Sequence, residues 1–148
     1  REVMWPAAKK GMAKTGRDDA EFAMCVMPLV ATAADRAGLA ERIQDVRARV
    51  AFYASTPTYL AAFETDGHAE TAKQLQALAR AQRWEAMPAL VDDAMLDTYA
   101  VIGTYDEIAE KLRARYGGLA THLEFTMALA TPGEVDALRA ILAELKRP

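Results

Sequence analysis

One cysteine and two histidines are the whole stock of thiol and imidazole groups in this 148-residue chain. Cys25 has no intrachain disulfide partner, and in its apolar run it reads as a small buried hydrophobe suited to a reducing cytoplasm. His68 and His122 form no pair at helical spacing and have no second thiol beside them, so no metal site is expected. Positive excess is lacking too: 18 Lys and Arg stand against 21 Asp and Glu, which argues against nucleic acid and acidic lipid as partners. No apolar run approaches the roughly 20 residues that span a bilayer, and no secretory signal is visible, so no membrane is expected. Glycines do not gather between a strand and a helix, as a phosphate cradle requires. Gly117-Gly118 instead runs from helix to strand and reads as a cap. Repeats and low-complexity tracts are absent. The chain opens at Arg1 inside a helix-like run, and the expectation is a piece of something longer.

What is present is helix-rich. The length suits one domain, and the 52% apolar share owes much to alanine, which favours helix. The organising stretch is Arg49–His68. Before it, Leu39, Ile43, Val46, Val50 and Tyr53 share one face of a helix expected from Asp35 to Tyr53, with Thr32 and Asp35 as its start signal. Pro57 breaks that helix and opens the next one. Other helices are expected over Val3–Thr15, closed by Gly16, and Thr58–Thr65, closed by Asp66-Gly67. Ala69–Arg83 presents Ala72, Leu75, Leu78 and Ala79 on one face, and Trp84 with Met87 is expected to plug the junction to Ala89–Tyr99. After the short run Ala100–Gly103, Thr104 and Glu107 form a capping box ahead of the stripe Ile108, Leu112, Tyr116. Thr131, Pro132 and Glu134 repeat the device before Val135, Leu138, Leu142 and Leu145.

Two strands are expected. Arg17, Asp18 and Asp19 make a polar turn, and Glu21–Ala31 is apolar without alternation, as in a parallel strand covered on both faces. Pro28 must interrupt its ladder. Thr121–Met127 alternates, with Leu123, Phe125 and Met127 on one face and His122, Glu124 and Thr126 on the other. Helices and strands in this order suggest an α/β protein with a parallel sheet. Two strands leave both edges unpaired, so the chain either self-associates or is the tail of a larger sheet or barrel; the tail is favoured.

Four segments stand in a telling order: VRARVAFYASTPTY, QALARAQRWEAMPALVDDAMLDTYAV, IGTYDEIAEKLRARYGG and the strand around HLEF. Together, and above all through G-T-x-x-E-I-A-x-x-L-x-x-R-x-G-G, the chain resembles the carboxy-terminal part of the bacterial-luciferase-like monooxygenase superfamily. The likeness runs from about Val3 to Met127 and is nearest the branch of deazaflavin-dependent oxidoreductases. It implies a (β/α)8 TIM barrel, with residues 1–148 supplying about the last two strands and the helices inserted between them. It also implies hydride transfer between deazaflavin coenzyme F-420, or FMN as a close variant, and a small organic substrate. The strands that hold much of the ring in that family are absent here, so the isolated chain is expected to be inactive.

Candidate site residues follow from that frame. Barrel active sites lie at the carboxy ends of strands, here Val30–Ala34 and Thr126–Thr131. Glu124 is the candidate catalytic group, because a carboxylate facing a barrel interior needs a partner or a shifted pKa; the plainer reading is pairing with a basic residue from another strand. Tyr53, Ser55, Thr56 and Tyr59 belong to helices that by analogy cover the barrel mouth, and with Thr126 they are candidates to bind cofactor or substrate. The alternative is plain interhelix packing. Arg47 and Arg49 are placed to reach a phosphate or carboxylate, or to lie along a helix flank. His122 lies at the amino end of its strand and reads as structural, His68 as solvated, and Asp92 and Asp93 as a solvated face. The expected partners are a small-molecule substrate and further copies of the chain. A competing reading of another class is a complete, non-catalytic helical α/β module that self-associates or binds a protein.

Overall fold

The computed structural model describes residues 4–18, 22–127 and 129–147. Val3, Asp19, Glu21 and Ala128, which the sequence reading includes in its elements, lie outside the described residues. Helix α1 (Met4–Thr15) ends at Gly16, whose φ of 68° only glycine adopts readily. The apolar run that follows is two strands, β1 (Cys25–Val26) and β2 (Leu29–Ala33), because Pro28 has no N–H to carry a ladder through.

Helix α2 (Arg36–Ala54) starts where Asp35 accepts the Gly38 N–H at 2.9 Å, and it buries Leu39, Val46 and Val50. Its stripe finishes on Ala51 and Ala54 rather than on Tyr53, which is 39% exposed. Pro57 opens a 3-10 turn, Pro57–Tyr59, and only then α3 (Leu60–Thr65), closed by Gly67 with φ 83°. Then come α4 (Ala69–Arg80), two 3-10 turns at Trp84–Ala86 and Pro88–Leu90, and α5 (Asp93–Tyr99). Met87 is buried at that junction while Trp84 is half exposed, so the methionine alone plugs it.

The run Ala100–Gly103, not assigned from sequence, is most of strand β3 (Ala100–Thr104). It pairs in parallel with β2, from Leu29 opposite Ala100 to Ala33 opposite Thr104, and Tyr105 N–H donates to the Ala33 carbonyl at 2.9 Å. Helix α6 (Ile108–Tyr116) follows, then β4 (His122–Leu123) and α7 (Pro132–Leu145). Half of the Thr104 box forms: Glu107 accepts the Thr104 N–H at 3.1 Å, while the threonine hydroxyl turns to Asp106. The box at Thr131 and Glu134 is complete.

Burial sorts the helices into two layers. Leu29, Ala31, Ala33, Ala100 and Ile102 share one face of the β2–β3 pair and pack on α2 and α5, behind which lie α3 and α4. Val30 and Val101 share the other face and pack with Ile108, Leu112 and Ile141 of α6 and α7. A strand covered on both faces needs no polar alternation, which is the pattern the sequence showed. In α7 Val135, Leu138 and Leu145 are half-buried as expected, but Ile141 takes the buried place expected of Leu142, which is 41% exposed.

Strand β4 is shorter than expected. Only His122 and Leu123 enter a ladder, opposite Cys25 and Val26, although Glu124 N–H still donates to the Val26 carbonyl at 3.0 Å. Leu123, Phe125 and Met127 pack with the α6–α7 cluster, and His122, Glu124 and Thr126 are exposed. Cys25 is exposed, not buried, and so is His122, its partner in the register. Parallel strands with helices on both faces make this an α/β fold, with four short strands in two pairs among the described residues. Among the described residues no helix is long and apolar enough to cross a membrane.

Candidate functional site

Helix α2 leaves the carboxy end of β2 and runs back along it, so its last turn arrives near the amino ends of β2 and β3. There a cleft of about 630 Å³ opens. Its floor is Met27, Pro28 and Leu29, at the break between β1 and β2. Val50 and Tyr53 of α2, Tyr59, Phe63 of α3, Tyr99, Tyr116 and the segment Glu124–Thr126 line the rest. The surface is mostly apolar and aromatic, with the Arg49 guanidinium and the Glu124 carboxylate as its charged groups.

Five of the residues singled out from sequence meet in this cleft: Arg49, Tyr53, Tyr59, Glu124 and Thr126. The Tyr53 and Tyr59 rings touch edge to face with centroids 5.7 Å apart. Ser55 and Thr56 do not line it. Both hydroxyls donate to the Phe52 carbonyl, at 2.7 and 3.2 Å, which is the backbone bonding such side chains make at a helix end. Glu124 is exposed rather than buried, and among the described residues its carboxylate has no ion pair. Sequence reasoning passed over Met27, Tyr99, Tyr116 and Phe125. Their common signal is position: each aromatic among them stands at the end of a helix or just past a strand, where side chains meet across elements.

The Tyr99 hydroxyl is buried and makes no hydrogen bond of good geometry, although the Asp66 carboxylate lies close enough to act on it. Burial first, and Asp66 second, push its phenol well above the ordinary value of 10.0. Its ring packs on Phe63 (centroids 4.6 Å) and on His68 (5.7 Å). His68 is therefore packed rather than simply solvated, with Nε2 3.3 Å from the Thr98 hydroxyl. Tyr99→Phe keeps the ring contacts and removes a buried hydroxyl that lacks a well-formed hydrogen bond, so it is expected to change unfolding stability by no more than about 1 kcal/mol at neutral pH. A folded-state pKa raised above the unfolded one gives stability that is whole below pH 10.0 and lost as pH climbs toward the folded value. Urea melts from neutral to alkaline pH should therefore show a shallower alkaline loss in Tyr99→Phe. A parallel fall in the two proteins would contradict this.

The other candidates are spent on structure. Arg47 donates to the Val91 carbonyl and to Asp93 at 2.6 Å, tying α2 to α5. Asp92 caps α5 by accepting the Met95 N–H at 2.8 Å, a role beyond a solvated face. Among the described residues no three His, Cys, Asp or Glu side chains converge as metal ligands would.

The carboxy ends of β2 and β3 open on a different hollow, of about 440 Å³, lined by Ala34, Asp35, Arg42, Tyr105, Thr131 and Glu134 among others. This is where a barrel carries its chemistry, and it is not where the hinge residues sit. Glu134 is held below the usual glutamate value of 4.5, first by the Thr131 N–H. Burial first, then the Glu134 charge, raise the Tyr105 phenol, against the opposing charge of Arg42.

Comparison with known proteins adds a family. The model of the luciferase-like monooxygenase family matches residues 1–122. Uncharacterized proteins of Mycobacterium bovis and of two strains of Mycobacterium tuberculosis are each 36% identical over 146 residues. The alignments cover 99% of this chain and 42% of each relative, so the chain spans well under half the length of the curated relatives it matches.

Proposed function

The chain belongs to the luciferase-like monooxygenase family, and on that premise we propose that residues 1–148 are the carboxy-terminal part of a (β/α)8-barrel oxidoreductase. The proposed reaction is hydride transfer between deazaflavin coenzyme F-420 and a small organic substrate, with FMN as the close variant. The observation that carries this reading is the parallel β2–β3 pair covered by helices on both faces, the layering of such a barrel. The 630 Å³ cleft opens at the amino ends of those strands, and its aromatic and apolar lining with few polar groups fits a flat ring system or an organic substrate better than a sugar or a free phosphate. A flavin-type group, when bound, supplies the redox chemistry. Tyr53, Tyr59 and Phe125 would hold and shield a ring, and Glu124 and Thr126 would orient the reacting molecule. An exposed free thiol at Cys25 accords with a cytoplasmic location.

Titration with coenzyme F-420 and with FMN, followed by absorbance, tests this. The 148-residue chain is expected to show no saturable change, and a protein of the relatives' full length a stoichiometric endpoint with one of the two. Tight binding by the short chain alone overturns the partial-barrel reading, and no binding by the long protein overturns the cofactor assignment. A second reading, self-association, is favoured by Phe52, Tyr53 and Tyr59. These rings adjoin one another and are 56%, 39% and 46% exposed.

A further inference from the structure

We propose that a polar recess in the wall of the cleft is a carboxylate subsite, so that the molecule bound here has an apolar body and one anionic head. As a statement of substrate class this rests on the oxidoreductase reading. The recess, of about 260 Å³, lies between α2, β2 and the segment after β4, and it shares Arg49 and Thr126 with the large cleft.

Three observations point to an anion. Thr32 lines the recess at 6% exposure, and its Oγ1 has no hydrogen-bond partner. A buried hydroxyl in that state is unusual, and an acceptor brought by a ligand would satisfy it. Arg42 and Arg49 are seven residues apart, two turns along one face of α2. The one carboxylate in the recess, Asp45, pairs with Arg42 at 3.7 Å. Arg49, four residues further on, makes no ion pair or hydrogen bond among the described residues. The recess therefore keeps one uncompensated guanidinium beside an unpaired hydroxyl. That combination favours a carboxylate, which a planar guanidinium can hold with two parallel hydrogen bonds.

The body of the ligand has its place in the same cavity system. Met27, Leu29, Tyr53 and Phe125 supply apolar wall immediately beyond Arg49. Glu124 opposes an anion in that cleft but does not line the recess, so it faces the body and not the head.

Octanoate and octan-1-ol share a body and differ in the head, so calorimetric titration of the chain with each, at about pH 8 where the acid is ionised, reads the subsite directly. Octanoate is expected to bind about tenfold tighter than the alcohol. Arg49→Leu should erase that difference while leaving octanol affinity within about twofold, and Arg49→Lys should keep part of it. Asp45→Asn should tighten octanoate several-fold by freeing Arg42. Equal affinity for the two compounds, binding of neither, or an octanoate affinity indifferent to Arg49→Leu would overturn the proposal. No flavin is present in these titrations. Their failure removes the carboxylate subsite and leaves the cofactor assignment standing, whereas failure of the flavin titration removes that assignment and leaves the octanoate result.

Discussion

Leu75→Ala is expected to lower the unfolding free energy by about 2–5 kcal/mol, the largest loss of any single truncation considered for this chain. Leu75 is fully buried on α4, in the cluster that joins α2, α3 and α5 to one face of the strand pair. The size of the penalty depends on how far neighbours can move into the space left behind. Here Ala51, Ala54 and Ala72 belong to the same cluster, and a methyl group cannot swing into a void. The cavity term should therefore persist. A domain with 5–15 kcal/mol in total would lose a large part of its margin. Urea unfolding should show a lower midpoint with an unchanged slope, because the surface exposed on unfolding stays the same. Leu78→Ala, half-buried on the same helix, should cost clearly less. A loss at Leu75 no greater than at Leu78 would mean that α4 does not dock as described. The cleft is coupled to this core through Phe63, whose ring packs at a tilt against Tyr99, so a loosened α4 should also disturb the cleft wall.

Where the sequence was legible, one residue carried one local demand. Of the start signal Thr32 and Asp35, Asp35 alone caps the helix, its short carboxylate bonding the third N–H ahead, while Thr32 lies in β2. Gly16, Gly67 and Gly118 mark chain reversals, and each adopts a positive φ. Thr131 with Glu134 forms the reciprocal bonds that its spacing allows. Ala100–Gly103 was illegible as a strand because α5 ends at Tyr99 and β3 begins at the next residue, with no turn signal between. It is also buried on both faces, so period-two alternation never marks it.

The site was legible only in part, for a related reason. Tyr53 and Tyr59 were noticed as aromatics in a hinge, and they do line the cleft. Nothing local in the sequence says that α2 brings this hinge back to the amino ends of the strands, away from the hollow at their carboxy ends. Ser55 and Thr56 were taken with the tyrosines because hydroxyls suit a pocket. A helix terminus nearby claims such hydroxyls first, through carbonyls that lack an amide partner. Cys25 failed similarly: an apolar run predicts burial on average, but β1 is two residues long and shows one side outward.

Arg47→Ala should cost about 1.5–3 kcal/mol, and the loss should come from a carbonyl rather than from a salt bridge. Arg47 keeps only 15% of its side chain exposed, while its ionic partner Asp93 is 90% exposed. An ion pair with one partner so well solvated is worth about 0–1 kcal/mol. The guanidinium also donates to the carbonyl of Val91, a residue 1% exposed at the entry to α5. That charge-assisted bond to a buried acceptor is the larger share, and the arginine stem covers apolar surface besides. Asp93→Asn should therefore cost less than half of what Arg47→Ala does, and added salt should barely change the Arg47 penalty. Arg47→Met, which restores the stem without the donor, should fall between. Equal losses at Asp93 and Arg47 would place the energy in the ion pair instead. Because α5 runs without a turn into β3, the carbonyl that Arg47 holds also sets where Tyr99 meets the cleft. The arginine read from sequence as a possible anion ligand thus acts on the site from behind, while its neighbour two positions on, Arg49, is left free to face it.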